Sequence, residues 1–126
     1  MAAPQYEGTV PLISDRYIIT MTAGEALSMG NLVELTAAWT VKKTTAVNSL
    51  KVVGICLTNA VNGAKVTVVC RGICRAVANL AISAGDQLTS GPSGMVKTDN
   101  SSKNTTVIGM AVEGIASAGT GVIFLW

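Results

Sequence analysis

The feature that most constrains this chain is an internal repeat. A shift of 55 residues superposes identical residues without a gap: Ala26, Ser28, Gly30, Val41, Lys42, Val52 and Gly54 fall on Ala81, Ser83, Gly85, Val96, Lys97, Val107 and Gly109. Each copy contains a Ser-x-Gly-Asn/Asp turn, a strand, a polar loop and a Val-x-Gly strand. A unit of this size cannot bury its apolar face alone and must pack against a neighbour. We therefore predict a molecule of two similar units.

The pattern inside each copy is that of β-structure. Short runs rich in β-branched residues alternate with turn signals such as Asn62-Gly63 and the Gly-Pro-Ser-Gly stretch at Gly91. Strands are predicted at residues 32–36, 39–42, 50–57, 65–70, 87–89, 95–98, 107–113 and 122–126, with a further apolar stretch at 73–80 and a polar loop at 99–105. No helix longer than two turns is predicted. The fold class is all-β, a small barrel or sandwich built from two β-units.

The N-terminal residues 1–22 lie outside the repeat. Pro4, Gly8 and Pro11 favour an extended chain there. One interpretation is a frayed terminus followed by an edge strand, and the other is an arm that adds a strand to a neighbouring protein. The predicted organisation is an arm at 1–22 and a single β-domain at 23–126, with pseudo-repeats 23–77 and 78–126.

The composition favours a permanent partner. Charged residues make up 13% of the chain and hydrophobic ones 49%, whereas about 25% charged is usual. A net charge of +2 is too small to indicate nucleic acid. Since the sequence shows neither a signal-peptide pattern nor a membrane-length apolar run, we expect synthesis in a host cytoplasm and no membrane partner.

The sequence predicts no catalytic, cofactor-binding or metal-binding residue and no small-molecule substrate. It contains no histidine, which removes the commonest general base and most zinc sites. The seven acidic residues are scattered. Asp86 falls on Asn31 of the other copy, which favours a turn residue over a catalyst. The Gly-Pro-Ser-Gly stretch lacks the Lys-Ser/Thr of a phosphate loop.

Three cysteines and a mild basic cluster complete the inventory. Cys70 and Cys74 are too far apart along an extended strand for a disulfide unless Gly72 folds the chain back. With Cys56 they are one ligand short of a closed metal site, so small buried hydrophobes are favoured. The basic cluster forms either a solvated face or a patch for an acidic partner protein, and it comprises Lys42, Lys43, Lys51, Lys65, Arg71 and Arg75.

Five segments together resemble the capsid cement, or head decoration, proteins of tailed bacteriophages. The segments are residues 23–33, 53–68, 82–88, 107–114 and 121–125. The resemblance implies a β-rich fold without enzymatic activity that binds the outside of an icosahedral shell, often as a trimer, with an N-terminal arm. The implied partners are the major capsid protein and two further copies of the chain. The implied location is the virion surface.

Three other classes stay open at this point. One is a different virion component, such as a tail or fibre protein. Another is a non-catalytic β-domain subunit of a larger assembly or enzyme. The last is a ligand-binding barrel, which predicts a pocket lined by Trp39 or Tyr17.

Overall fold

A computed structural model describes residues 17–100 and 106–126, and the all-β prediction is confirmed there. The nine strands are β1 (Tyr17–Ala23), β2 (Leu32–Ala37), β3 (Thr40–Lys43), β4 (Val52–Cys56), β5 (Lys65–Val77), β6 (Gln87–Ser90), β7 (Val96–Thr98), β8 (Gly109–Ala111) and β9 (Thr120–Leu125). A 3₁₀ turn, Pro92–Gly94, gives the predicted reversal between β6 and β7. Residues 1–16 of the predicted arm and 101–105 of the predicted loop lie outside the described residues.

Five strands close into a first barrel in the order β1-β3-β2-β4-β5, with β1 also paired to β5. β1 runs parallel to β3 and antiparallel to β5, so it has a neighbour on each side. Met21 and Ala23 of this strand are buried in the barrel interior. Period-two alternation places them there, because successive side chains of a strand point to opposite faces. Residues 17–22 therefore belong to the barrel.

A second barrel follows from the other half of β5. Residues 72–77 of that strand pair with β9, and the sheet continues through β8 and β6 to β7. A parallel bridge between Ala78 and Val96 brings β7 back against the residue that follows β5. The two barrels thus share one long strand.

The separation of residues 65–70 from 73–80 predicted from the sequence is wrong, because β5 is continuous. Gly72 lies between the two halves with a φ of +111°, a value that favours glycine. Beside it, the register of β1 against β5 shifts between Tyr17 and Ile18, as in a β-bulge. Such an irregularity bends a strand without ending its pairing, and here the strand passes from one barrel into the other.

The prediction of two similar β-units is confirmed by the pairing. The Ala23–Val41 parallel pair recurs as Ala78–Val96, 55 residues later. The bridge between Leu27 and Ala60 recurs in the same way as Ile82–Ile115. The structural repeat begins at the start of β1, and its two copies span residues 17–71 and 72–126.

The conserved turn glycines take matching conformations in the two copies. Gly30 has a φ of +95° and Gly85 a φ of +88°. Each donates its backbone N–H to the first residue beyond or at the end of the Val-x-Gly strand, Cys56 or Ala111, at 2.9 and 2.8 Å. A β-carbon would disfavour this conformation, so both turns require glycine for the same reason.

Two apolar cores fill the molecule. The first consists of buried residues from the first barrel: Met21, Ala23, Leu27, Val33, Val41, Cys56, Val66 and Val68. The second combines the interior of the second barrel with three residues from the outer face of the first, Leu32, Ile55 and Val69. The second core therefore joins the two barrels.

Candidate interaction surface

Asp86 lies in a turn that its counterpart Asn31 reproduces. The Asp86 carboxylate accepts the backbone N–H of Ser83 at 3.0 Å, and the Asn31 side-chain oxygen accepts that of Ser28 at 2.9 Å. The carboxylate also accepts the hydroxyl of Thr98 at 3.1 Å. These bonds close an Asx-type turn in each copy. In the part of the chain that the structure describes, no group of three His, Cys, Asp or Glu side chains is placed to hold a metal ion.

Replacing Asp86 with asparagine is expected to change the free energy of unfolding by less than about 1 kcal/mol. The asparagine oxygen can accept the Ser83 N–H, as Asn31 does in the first turn. Urea denaturation measures the change, and capsid co-sedimentation measures function. A folded Asp86→Asn protein that no longer binds capsids would show that the carboxylate has a role in binding.

The three cysteines are free thiols. Cys56 lies in the first barrel core, and burial raises the pKa of its thiol to about 11. Burial also raises the pKa of Cys70 above its ordinary value. Protonated thiols of this kind behave as small hydrophobes.

Neither aromatic residue named for a ligand-binding barrel lines a barrel interior. Trp39 is 69% exposed and Tyr17 is 60% exposed. The first barrel is instead filled by its own side chains, with Val33, Val41 and Val68 fully buried. Tyr17 packs outside under the guanidinium of Arg71, which lies 5.7 Å from the ring centroid.

The first barrel carries an apolar row across the outer face of its sheet. Ile18 pairs with Val69, Val69 with Ile55, and Ile55 with Leu32, so the four side chains follow one line over β1, β5, β4 and β2. Leu32, Ile55 and Val69 are buried in the core that joins the barrels. Burying each such side chain stabilises the fold by about 1.5–3 kcal/mol. The row therefore holds the first barrel on the second.

The second barrel carries the same row, but exposed. Ile73 pairs with Phe124, Phe124 with Met110, and Met110 with Gln87, each 55 residues after its counterpart. Ile73 is 57% exposed, Phe124 44% and Met110 36%. We name these four residues the distal row.

Further apolar side chains extend the distal row. Trp126 contacts Phe124 edge-to-face, with ring centroids 6.3 Å apart. Val112 is also exposed, and its backbone N–H donates to Val122 on β9. Contiguous exposed apolar surface of this kind is typical of protein contacts.

A second exposed apolar surface lies on the first barrel, at the end of β2 and in the turn that follows. Leu35 and Trp39 are its large apolar side chains, and an open groove of about 550 Å³ adjoins them. The groove is lined by Leu35, Thr36, Ala37, Leu50, Lys51, Val52 and Val53. We name Leu35, Thr36 and Trp39 the receiving surface.

The predicted basic cluster is divided between elements. Lys42 and Lys43 lie on β3, whereas Arg71 and Arg75 alternate with Ile73 on β5. The two arginines therefore flank the distal row. An acidic partner for these residues stays a prediction.

These observations define a tandem-barrel protein whose exposed features are apolar faces suited to contact with other proteins. Within the described residues, no helix has the length and apolar character needed to cross a membrane. The sequence supplies the family. A model of the phage cement proteins matches residues 12–125, and the chain belongs to that family. It is a phage structural protein, as its resemblance in sequence predicts.

The fold also resembles that of a solved phage protein. The N base of the head fibre protein gp8.5 of bacteriophage phi29 superposes with a TM-score of 0.68 over 88% of this chain and 94% of that one. The two sequences are 18% identical, so the likeness is one of fold. No curated protein matches the sequence.

Proposed function

We propose that this protein binds the outer surface of an icosahedral bacteriophage capsid as a homotrimer, stabilises the shell and performs no catalysis. Its partners are the major capsid protein and two further copies of the chain. Membership of the cement family supports this function. The observation that carries it is the pair of exposed apolar surfaces, the distal row and the receiving surface, on a chain of low charge.

The chemistry of the exposed surfaces supports binding over catalysis. Neither surface contains an acidic side chain, and the sequence has no histidine to act as a base. A stable protein contact requires apolar area and shape, and an interface of standard size buries roughly 1,600 Å² in total. Many copies on one shell turn modest affinity per copy into strong collective stabilisation.

A fibre base is the second candidate function. The fold likeness to the base of a phage head fibre favours it. Both functions require attachment to the virion, but they differ in what attachment achieves. A cement protein raises the stability of the shell, whereas a fibre base need only remain attached.

Co-sedimentation with capsids from the same genome tests attachment. The protein is expected to pellet with capsids in a saturable manner and to stay in the supernatant without them. The Asp86→Asn variant serves as a matched control, since it alters a turn outside both surfaces. Failure of the wild-type protein to pellet at any concentration would contradict the proposal.

We also propose that the predicted arm contributes to attachment. Removing residues 1–10, which precede the described residues, is expected to leave the melting temperature nearly unchanged and to weaken capsid binding by degrees. Each buried apolar arm residue would contribute about 1.5–3 kcal/mol, offset by ordering costs of about 1–2 kcal/mol per residue. Co-sedimentation and calorimetry of the truncated protein measure both quantities. Unchanged capsid affinity would assign the arm no part in binding, and a truncated protein that fails to fold would place these residues in the domain.

A further inference from the structure

The contact between the two barrels inside one chain has a defined donor side and a defined acceptor side. The donor side is the buried row of the first barrel, Leu32, Ile55 and Val69. The acceptor side includes the end of β6 and the 3₁₀ turn after it. Gly94 lies there against the first barrel, where an added β-carbon would be 3.3 Å from the Leu32 carbonyl oxygen.

Hydrogen bonds fix this junction. The loop after β3 donates its Thr44 hydroxyl to the carbonyl of Gly91 at 2.8 Å and accepts the Gly94 N–H at 3.0 Å. The Ser90 hydroxyl donates to the Ala46 carbonyl and accepts the Ser49 N–H, both at 2.8 Å. The acceptor side of the junction is thus formed by residues 90–94.

The repeat places an equivalent acceptor on the first barrel. Counting back 55 residues from 90–94 gives 35–39, which contains the receiving surface. Trp39 has a positive φ of 55°, as its counterpart Gly94 has one of 73°. Within one chain this acceptor is uncovered, since both Leu35 and Trp39 are exposed.

The repeat also leaves an unused donor at the other end of the chain. The distal row is the counterpart of the buried row, with Met110 in place of Ile55 and Phe124 in place of Val69. In stacked-repeat proteins the last unit needs a polar outer face to stay soluble. Here that face is apolar, which indicates that something covers it.

We propose that the distal row of one copy packs on the receiving surface of the next, repeating between chains the junction that joins the two barrels within a chain. This inference deepens the homotrimer part of the proposed function, because a head-to-tail contact closes into a ring when its rotation permits. The occupant of the distal row is a second copy of this chain, since this chain carries the matching acceptor. The larger side chains of the distal row meet an acceptor that has an open groove beside it.

The test uses two variants that each remove one side of the contact. Phe124→Glu places a charge on the distal row, and Trp39→Asn shortens the receiving surface with a residue that tolerates positive φ. Both side chains are largely exposed in the chain, so each variant is expected to fold, and circular dichroism verifies this. Met110→Glu and Leu35→Glu provide a second pair. Val61→Glu, at an exposed site on neither surface, is the control.

Sedimentation velocity without capsids measures the association. The wild-type and Val61→Glu proteins are expected to self-associate, and each interface variant to associate at least about tenfold more weakly, which corresponds to about 1.4 kcal/mol. An equimolar mixture of Phe124→Glu and Trp39→Asn is expected to form a one-to-one dimer and nothing larger, because one intact donor and one intact acceptor remain.

Three results would overturn the proposal. They are a monomeric wild-type protein at all concentrations, a Trp39→Asn variant that associates like the wild type, and a mixture that stays monomeric under the conditions that associate the wild type. Since capsids are absent from this assay, failure here leaves capsid binding untouched. Conversely, loss of capsid binding with intact self-association would contradict only the proposed function.

Discussion

Replacing Gly109 with alanine is expected to destabilise the protein by about 3 kcal/mol or more, which lowers the melting temperature by about 10 °C or more. An added β-carbon at Gly109 would overlap the backbone carbonyl oxygen of Phe124 on β9. A backbone atom cannot move aside as the end of a side chain can. The β8–β9 pair would therefore have to separate. Gly54 stands in the same relation to the Val69 carbonyl, so Gly54→Ala is expected to act alike.

Gly114→Ala is the matched control for these substitutions. A β-carbon there would lie 3.7 Å from the Ile82 carbonyl oxygen, which is an ordinary contact. Its expected effect is within about 0.5 kcal/mol. Thermal denaturation followed by circular dichroism compares the variants. Equal melting temperatures for Gly109→Ala and Gly114→Ala would contradict the close strand approach.

Truncating Ile55 to alanine is expected to destabilise the protein by about 2–5 kcal/mol, whereas truncating its repeat counterpart Met110 costs less than about 1 kcal/mol in the monomer. Both residues occupy the same place in the cross-strand row. Ile55 is buried at the junction between barrels, and Met110 lies in the exposed distal row. The difference between the two costs therefore measures what the junction contributes.

Urea denaturation gives both free energies at concentrations where the chain is monomeric. At higher concentrations Met110→Ala is expected to weaken self-association as well, while Ile55→Ala acts mainly on folding. Equal costs for the two truncations in the monomer would mean that the two rows have similar surroundings, contrary to the structure.

The repeat made much of the fold predictable from sequence. Identical glycines at one spacing indicated two similar units, and the structure pairs them residue by residue. The reason for the glycines was predicted only in part. Positive φ explains Gly30 and Gly85, but Gly54 and Gly109 are required by close contact with a neighbouring strand, which depends on tertiary structure.

The course of β1 and β5 could not be predicted in the same way. Gly72 resembles a break between two apolar stretches, yet a glycine at positive φ can also bend a strand that continues. Tyr17 and Arg71 contact each other from distant parts of the sequence, and strand pairing over such a separation is not encoded in local pattern. The barrel therefore begins within the segment that local composition assigns to the arm.

The two apolar surfaces were missed because a single strand pattern does not reveal which face is covered. Val69 and Phe124 are both apolar and differ only in what lies above them. A comparison of outward positions in the two copies carried a signal: Leu32 in the first copy corresponds to Gln87 in the second. One polar replacement in an otherwise apolar row marks the copy whose row faces outward.

The most direct test of the account is the thermal stability of capsids with and without the protein. Capsids that lack it are prepared from the same phage and then saturated with purified protein, and scanning calorimetry records the temperature at which the shell melts. The account predicts that melting moves up by several degrees, in proportion to the copies bound and reaching a plateau at saturation. Saturated capsids that melt at the same temperature as bare ones would contradict it, because the protein would then attach without cementing the shell.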